Sequence, residues 1–229
     1  MLNRQSVKSR STDYVRSVIC DLKYLSKKVT QMSNNSYDYE NRSNILSICW
    51  EDFHGICKAL AKCIALQFDP NIILSIGRGG YYPGTLIAHI LRIELHPIAL
   101  SRRVNDIVKY DIPQWITEPP GLVKNKRVLI IDEISSTGAT LRRVIQEVKQ
   151  MKASDIKSAV LYSHTSGAAI PDYIGIISDA IILNPWDREV LVNGDFIFHP
   201  EYVKALSYQG IKPDDSYRIE ASYYELAKQ

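Results

Sequence analysis

The chain has 229 residues, of which 45% are hydrophobic and 23% are charged, a composition typical of a globular protein with a sizeable core. Its 28 basic and 25 acidic residues leave a net charge of +3, which is too balanced to indicate a nucleic-acid-binding protein. No apolar run reaches the length of a membrane span, and residues 1–12 lack a signal-peptide core. We therefore expect a cytoplasmic protein with neither a nucleic-acid nor a membrane partner.

The first part of the chain is predicted to be an extension. Residues 13–32 carry apolar side chains at helical spacing and basic side chains between them, which predicts an amphipathic helix. The following stretch up to residue 44 is rich in Asn, Ser and Tyr and is typical of a linker. We thus expect a helical extension and linker at residues 1–44, a main domain at 45–205 and a tail at 206–229.

Strands and helices alternate through the main domain. Helices are predicted at residues 45–68 and 83–91, and strands at 72–76, 96–101, 128–131, 158–162 and 180–183. This alternation predicts an α/β fold, a mostly parallel twisted sheet with helices on both faces. In such folds, ligands bind beyond the carboxyl ends of the strands.

The most specific chemistry lies at residues 128–140, which read Val-Leu-Ile-Ile-Asp-Glu-Ile-Ser-Ser-Thr-Gly-Ala-Thr. An apolar run typical of a buried parallel strand ends at Asp132 and Glu133, and a small hydroxyl-rich loop then enters a helix. A helix N-terminus offers free backbone N–H groups to a phosphate. Two acids beside a phosphate site indicate a ligand that carries Mg²⁺ or several hydroxyl groups.

A second candidate anion site, Gly-Arg-Gly-Gly at residues 77–80, follows the predicted strand at 72–76. Position 82 is tyrosine, so the spacing of a dinucleotide-binding fingerprint is absent. A glycine-flanked arginine can still present backbone N–H groups and a guanidinium to an anion. Alone, this tetrapeptide would be a plain tight turn, but its place one βα unit before the acidic motif favours anion binding.

The segment at residues 128–140 resembles the phosphoribosyl-pyrophosphate (PRPP) motif of the type I phosphoribosyltransferases, and the resemblance extends over residues 72–192. It implies the type I phosphoribosyltransferase fold and transfer of a 5-phosphoribosyl group from PRPP to a ring nitrogen, with release of pyrophosphate and Mg²⁺ as cofactor. Purine enzymes of the family carry a short Arg/Lys-Gly-Gly loop for the pyrophosphate, often with a cis peptide bond. By resemblance, that bond would join Gly77 and Arg78.

The resemblance also implies a role for each matched residue. The 5-phosphate would be bound by Ser135, Ser136, Thr137, Gly138, Ala139 and Thr140. The pyrophosphate would be bound by Gly77, Arg78, Gly79, Gly80 and Arg102. The catalytic group would comprise Asp132, Glu133 and Ser136, and the Mg²⁺ ligands, in part indirect, would be Asp132, Glu133 and Asp187.

Residues 102–121 form a long polar stretch with three prolines. A loop of this length in a compact domain is usually a lid, a binding loop or a disordered segment. It resembles the mobile hood of the family, which would close over the pyrophosphate and exclude water. The alternative is a solvated surface excursion with ordinary charges.

The resemblance also implies residues that would bind the base. Pro-Trp-Asp at 185–187 is similar to a segment of the bacterial xanthine–guanine phosphoribosyltransferases, which implies that Trp186 stacks on a purine beside Asp187. His164 falls near the position of a base-reading lysine, although a lone histidine is more often structural. Ser136 stands where the 6-oxopurine enzymes usually have an aspartate, and a hydroxyl is a poor general base.

The expected function is therefore Mg²⁺-dependent phosphoribosyl transfer to a nucleobase in purine salvage, with a 6-oxopurine (xanthine, guanine or hypoxanthine) as the first choice. Two alternatives stay open: a phosphoribosyltransferase for another base or acceptor, and a PRPP-sensing regulatory protein with weak or no turnover. Family members are commonly dimers or tetramers, so the resemblance also implies a homo-oligomer.

Overall fold

The structure is a computed structural model that describes residues 42, 44–104 and 107–212. The described residues divide into two compact units, one of residues 53–178 and one of the residues before 53 and after 178. In chain order the elements are β1 (Ile45–Ser47), α1 (Trp50–Gln67), β2 (Ile72–Gly77), α2 (Tyr81–Leu91), β3 (Leu95–Ser101), β4 (Arg103–Val104), β5 (Ile107–Val108), β6 (Gln114–Thr117), β7 (Arg127–Ser135), α3 (Ala139–Gln150), β8 (Asp155–Ser163), β9 (Tyr173–Ile177), β10 (Ile181–Leu183), β11 (Glu189–Val192), β12 (Asp195–Phe198) and α4 (Pro200–Tyr208).

A six-stranded sheet forms the centre of the first unit. Its strand order is β6-β3-β2-β7-β8-β9, in which β6 is antiparallel to β3 and every other neighbouring pair is parallel. The apolar runs in β2 and β7 are buried, as expected for central strands of a parallel sheet that is covered on both faces. The predicted α/β fold with a mostly parallel sheet is confirmed.

Helices cover both faces of this sheet. Leu141, Val144 and Val148 of α3 share one buried cluster with Leu74 of β2 and Ile130 of β7. Gly84 of α2 lies instead against Ser75, whose side chain points to the opposite face because successive strand residues alternate. The sheet is thus the middle layer of the unit, and the loops at its edge carry the candidate site.

Two loops leave the same edge of the sheet side by side. β2 and β7 are parallel neighbours, with Ile72 opposite Val128 and Ser75 opposite Ile131. The loop at residues 77–80 follows β2, and the loop at residues 136–138 follows β7. Parallel strands place their carboxyl ends at one edge, so both predicted anion sites lie where α/β folds bind ligands.

The second unit has two small sheets and one helix. β1 pairs in parallel with β10, and β11 pairs antiparallel with β12. Ile181 and Leu183 of β10 pack with Tyr202 and Ala205 of α4 in a small buried cluster. None of the helices described is both long and apolar enough to cross a membrane.

Several predicted elements differ from the structure. The helix expected from residue 45 begins at Trp50, because Ile45–Ser47 form β1. The strand expected at residues 180–183 is present as β10, but its partner is β1 rather than the central sheet. The expected start of a tail at residue 206 falls inside α4. The predicted helix at residues 13–32 and most of its linker lie outside the described residues.

Candidate active site

The loop at residues 77–80 is arranged to offer donors rather than acceptors. The carbonyl oxygens of Arg78, Gly79 and Gly80 accept hydrogen bonds from the N–H groups of Tyr81, Tyr82 and Gly84, at 3.0, 3.3 and 2.9 Å. The backbone N–H groups of residues 78–80 donate no hydrogen bond within the described part of the chain. The Gly77–Arg78 peptide bond is cis, as the resemblance implied, and Arg78 is exposed.

Two side chains fix this loop from the protein side. The buried Ser75 hydroxyl donates to the Gly80 carbonyl oxygen at 2.6 Å, and the Tyr81 hydroxyl donates to the Ile98 carbonyl oxygen at 3.1 Å. The Tyr81 ring lies where a side chain at Gly77 would point. The loop is thus held between β2, β3 and the first turn of α2.

The loop touches the acidic pair at the end of β7. A Cβ added at Gly79 would overlap the carboxylate of Glu133, and one added at Gly80 would lie 3.0 Å from the Cα of Asp132. Gly80 needs glycine, because an added Cβ would also overlap the Ile76 carbonyl oxygen, whereas at Gly79 the Glu133 side chain would have to move. The structure brings together Gly79, Gly80, Asp132 and Glu133, as the sequence predicted.

Asp132 lies in an environment that disfavours its charged form. Its Oδ1 accepts a hydrogen bond from the Glu133 N–H at 2.8 Å, which favours the carboxylate. Burial outweighs that bond and raises the pKa of Asp132 to about 7. A cationic ligand or a developing positive charge nearby would stabilise the ionised form and so is favoured at this position.

The raised pKa of Asp132 predicts that the stability of the folded protein depends on pH. Between the ordinary pKa of an aspartate and about pH 7, the folded protein holds a proton that the unfolded chain releases, so the contribution of Asp132 to stability falls as pH rises through this window. Asp132→Asn removes that dependence. Without Mg²⁺ or PRPP, we expect the stability of the variant relative to wild type to rise by about 2 kcal/mol from pH 4 to pH 8.

The measurement is urea unfolding of both proteins at pH 4, 6 and 8. A stability difference that is constant over this range would contradict the assignment of a raised pKa to Asp132. The difference should level off above pH 8, because Asp132 is then ionised in both the folded and the unfolded protein.

The loop after β7 has the same arrangement of donors. The carbonyl oxygens of Ser136, Thr137 and Gly138 accept hydrogen bonds from the Ser166 hydroxyl, the Arg142 guanidinium and the Arg142 N–H, at 2.7, 2.7 and 2.9 Å. The backbone N–H groups of residues 136–140 have no acceptor among the residues that the structure describes. The carbonyl groups of this loop are thus hydrogen-bonded within the protein, whereas its N–H groups have no acceptor among the described residues. This helix N-terminus can therefore bind an anion.

Gly138 sets the shape of this loop. Its φ is +74°, in the left-handed region, and it is the residue before the first turn of α3. The Cβ of Ile170 would lie 2.8 Å from a Cβ added at this position. A side chain here would meet both backbone strain and a packed neighbour, so the loop needs glycine.

Ser135 differs from the other predicted phosphate-binding residues. It is only 2% exposed and is the last residue of β7, not part of the loop. Its hydroxyl donates to the Gly167 carbonyl oxygen at 3.0 Å. This hydroxyl is therefore engaged within the protein, and the phosphate-binding role of Ser135 stays a prediction, as it does for residues 136–140.

His164 is fully buried after β8, and its Nδ1 lies 2.6 Å from the carbonyl oxygen of Ser178. A buried ring held by a backbone carbonyl fits a structural role. This placement favours the structural alternative for His164, and the base-reading role stays a prediction.

Trp186 and Asp187 belong to the second unit. Trp186 is half-buried and packs at a tilt on Trp50, with ring centroids 6.1 Å apart. The Asp187 carboxylate lies 3.4 Å from the Tyr202 hydroxyl and 3.8 Å from Nε2 of His199. These contacts hold both predicted base-site residues in place, and their roles toward a base stay predictions.

Part of the predicted hood, residues 102–121, forms β-strands. Arg102 follows β3 at the edge that carries both loops, and its carbonyl oxygen accepts hydrogen bonds from the Lys109 and Tyr110 N–H groups at 2.8 and 3.1 Å. β4 and β5 pair as a short hairpin, and β6 joins the central sheet. β3 is the neighbour of β2, and the role of Arg102 toward the pyrophosphate stays a prediction.

Sequence reasoning missed the residues that support the two loops from the protein side. They are Ser75, Ser163, Ser166, Gly167 and Arg142. A hydroxyl within an apolar strand was a usable signal for Ser75 and Ser163, because a buried polar group needs a partner. The partners of Ser166 and Arg142 depend on the path of the loop and have no such signal.

Comparison with known proteins defines the class. A family model for the phosphoribosyl transferase domain matches residues 50–192, and the chain belongs to this family. The chain is 30% identical over 156 residues to a xanthine-guanine phosphoribosyltransferase of Nitratidesulfovibrio vulgaris, a match that covers 64% of this chain and 86% of the relative.

Two further relatives agree with that class. A hypoxanthine-guanine phosphoribosyltransferase of Schizosaccharomyces pombe is 28% identical over 127 residues, which cover 47% of this chain and 61% of the yeast protein. The crystal structure of a purine phosphoribosyltransferase from Pyrococcus horikoshii superposes with a TM-score of 0.58 at 30% identity, over 66% of this chain and 99% of that one. The match at residues 50–192 includes both loops, the acidic pair and Trp186.

Proposed function

We propose that the protein transfers the 5-phosphoribosyl group of PRPP to a 6-oxopurine and releases pyrophosphate. The observation that carries this proposal is a pair of neighbouring loops with Asp132 and Glu133 beside them. The backbone N–H groups of both loops have no acceptor among the described residues. Two anion sites flanking two carboxylates suit a ligand with a phosphate at one end, a pyrophosphate at the other and a ribose between.

Each part of the site then has a task in the reaction. The loop at residues 136–140 binds the 5-phosphate, while Arg78 and the loop at residues 77–80 bind the leaving pyrophosphate. Asp132 and Glu133 face the ribose hydroxyl groups. As the bond from the ribose carbon to pyrophosphate lengthens, the ring gains positive charge, which the ionised Asp132 stabilises. No covalent nucleophile is needed.

Mg²⁺ is the cofactor in this proposal, and the residues present fit it. Carboxylate oxygens are suitable ligands, and Mg²⁺ is commonly held by one or two carboxylates together with substrate phosphates. The described residues contain no cluster of three or more His, Cys, Asp or Glu side chains that could hold a metal without a substrate. Asp132 and Glu133 would hold the ion, directly or through water, and the ion would neutralise charge on pyrophosphate. Asp187 is a further predicted ligand.

The choice of a 6-oxopurine rests on relatives and on Trp186. The relatives reported above are named for xanthine and guanine, for hypoxanthine and guanine, or for purines. Trp186 is a half-buried aromatic side chain that could stack on a flat base. We further expect a cytoplasmic homo-oligomer that acts in purine salvage, as predicted from the sequence.

One observation favours a second candidate, a PRPP-sensing protein without turnover. The loop at residues 136–140 offers only hydroxyl and backbone groups, and Ser136 cannot take a proton as a carboxylate would. A protein with this loop could bind PRPP and transfer its phosphoribosyl group slowly or not at all.

The test is nucleotide formation from PRPP and Mg²⁺ with guanine, xanthine, hypoxanthine, adenine, uracil or orotate. The proposal predicts a nucleoside 5-monophosphate from at least one of the three oxopurines, and none with Mg²⁺ removed. A product from a different base alone would overturn the substrate assignment. No product from any base, together with saturable PRPP binding, would favour the sensing protein.

A further inference from the structure

Two buried serines each hold one of the two phosphate-binding loops. Ser75 lies in β2 and Ser163 ends β8, and both are 0% exposed. We propose that Ser75 positions the pyrophosphate loop and that Ser163 positions the 5-phosphate loop, each independently of the other. This inference rests on the proposed function, because it takes the two loops as the sites for the two ends of PRPP.

The contacts of Ser75 point to one loop only. β2 is otherwise apolar and buried up to Gly77, so a hydroxyl in it is costly unless it is hydrogen-bonded. Its partner is the Gly80 carbonyl oxygen, at 2.6 Å. Gly84 leaves room for this hydroxyl, since a Cβ at position 84 would overlap it. The bond fixes the peptide unit after Gly80 and thereby the direction of the N–H groups that precede it.

Ser163 contacts the backbone that leads into the loop at residues 136–140. Its hydroxyl lies 3.1 Å from the carbonyl oxygen of Ser135 and 3.0 Å from that of His164. The Ser135 carbonyl oxygen also accepts the His164 N–H at 3.1 Å, and the Ser135 hydroxyl reaches Gly167. The peptide unit that starts at the Ser135 carbonyl also contains the N–H of Ser136, the first free donor of the phosphate loop.

The two supports are separate in the sheet. β7 lies between β2 and β8, and no described hydrogen bond of Ser75 involves the partners of Ser163. Loss of one hydroxyl should therefore loosen one loop and leave the other in place. A role in packing alone would lower the stability of the fold and leave both affinities unchanged.

The experiment uses isothermal titration calorimetry on the full chain to measure the affinity for two probes. The probes are pyrophosphate with Mg²⁺, and ribose 5-phosphate. Ser75→Ala should weaken pyrophosphate binding by about five- to tenfold and ribose 5-phosphate binding by less than about twofold. Ser163→Ala should show the reverse pattern. These factors follow from the loss of one hydrogen bond whose acceptor lies in the loop or next to it.

Ser158→Ala is the matched control. Ser158 is also a buried serine of β8, but its hydroxyl donates to the Asp172 carboxylate at 3.1 Å and touches neither loop. This variant should lose stability and keep both affinities. If an alanine variant fails to fold, Ser75→Cys or Ser163→Cys keeps the shape of the side chain and replaces the hydroxyl with a larger, weak donor.

The outcomes are distinct. Opposite losses for the two variants support the inference. Equal losses for both probes, or affinities like those of the Ser158 control, overturn it while leaving the proposed function in place. A wild-type protein that binds neither probe would overturn the proposed function and the inference together.

Discussion

Replacing Asp132 with asparagine should lower the kcat of pyrophosphate release by about 100-fold or more, with a smaller effect on PRPP affinity. Asparagine fits the same space but cannot supply the negative charge that stabilises the ribose ring as pyrophosphate leaves. The loss should therefore fall mainly on the transition state. The measurement is steady-state release of pyrophosphate from PRPP with a purine that the wild type accepts.

Asp155→Asn is a close control for this variant. Asp155 begins β8 and accepts a hydrogen bond from the next backbone N–H at 2.8 Å, the geometry that Asp132 has with Glu133. It lies at the opposite end of the parallel strands and is exposed. We expect near wild-type turnover from Asp155→Asn. Equal losses in the two variants would contradict a catalytic role for Asp132.

Replacing Gly138 with valine should weaken PRPP binding by at least about tenfold. Valine at φ +74° is strained by roughly 1–2 kcal/mol, and its side chain would push against Ile170. A shift of the loop would relieve the backbone strain and the contact with Ile170. The same shift would turn the N–H groups of residues 136–140 away from the phosphate. Isothermal titration calorimetry with PRPP and Mg²⁺ measures the loss of affinity, and circular dichroism checks that the fold is kept.

The control is the same substitution at Gly194, which has φ +94° in the turn between β11 and β12 and no atom near an added Cβ. Gly194→Val carries the backbone strain without a phosphate loop, so its PRPP affinity should equal that of the wild type. PRPP binding by Gly138→Val that matches wild type would show that the loop after β7 does not hold the phosphate.

The strands and loops that carry the site could be predicted because their signals are local. The largely apolar runs at residues 72–76 and 128–131 are typical of buried strands, and each is followed by glycine, acidic or hydroxyl residues. Parallel strands then bring these residues to one edge of the sheet. The contact between Gly79 and Glu133, which are far apart in sequence, follows from this rule alone.

The second unit was hard to predict because its pairings are long-range. Ile45–Ser47 looked like the start of a helix, and only Ile181–Leu183, far along the chain, pairs with it as a strand. The sequence of this unit also carries local signals. Asn193-Gly194 between apolar strands indicates a hairpin, and Pro200 followed by Tyr202, Ala205 and Leu206 indicates a helix.

The supporting side chains of the site were missed for a different reason. Residue type predicts which groups can meet a ligand, but not which hydroxyl turns back to its own backbone. Ser135 and Ser136 are adjacent and chemically identical, yet the structure places the Ser135 hydroxyl on Gly167, while Ser136 stays in the loop. The strand β7 ends at Ser135 and the loop begins at Ser136, and sequence patterns do not locate such a boundary to one residue.

The most direct test of the central claim is titration of PRPP with Mg²⁺ into the wild-type protein and into Gly138→Val. Our proposal that the two loops form one site for the two ends of PRPP predicts saturable binding at one site per chain in the wild type. Pyrophosphate and ribose 5-phosphate should each compete for it, and the variant should bind much more weakly. A wild-type protein without saturable PRPP binding would contradict the account.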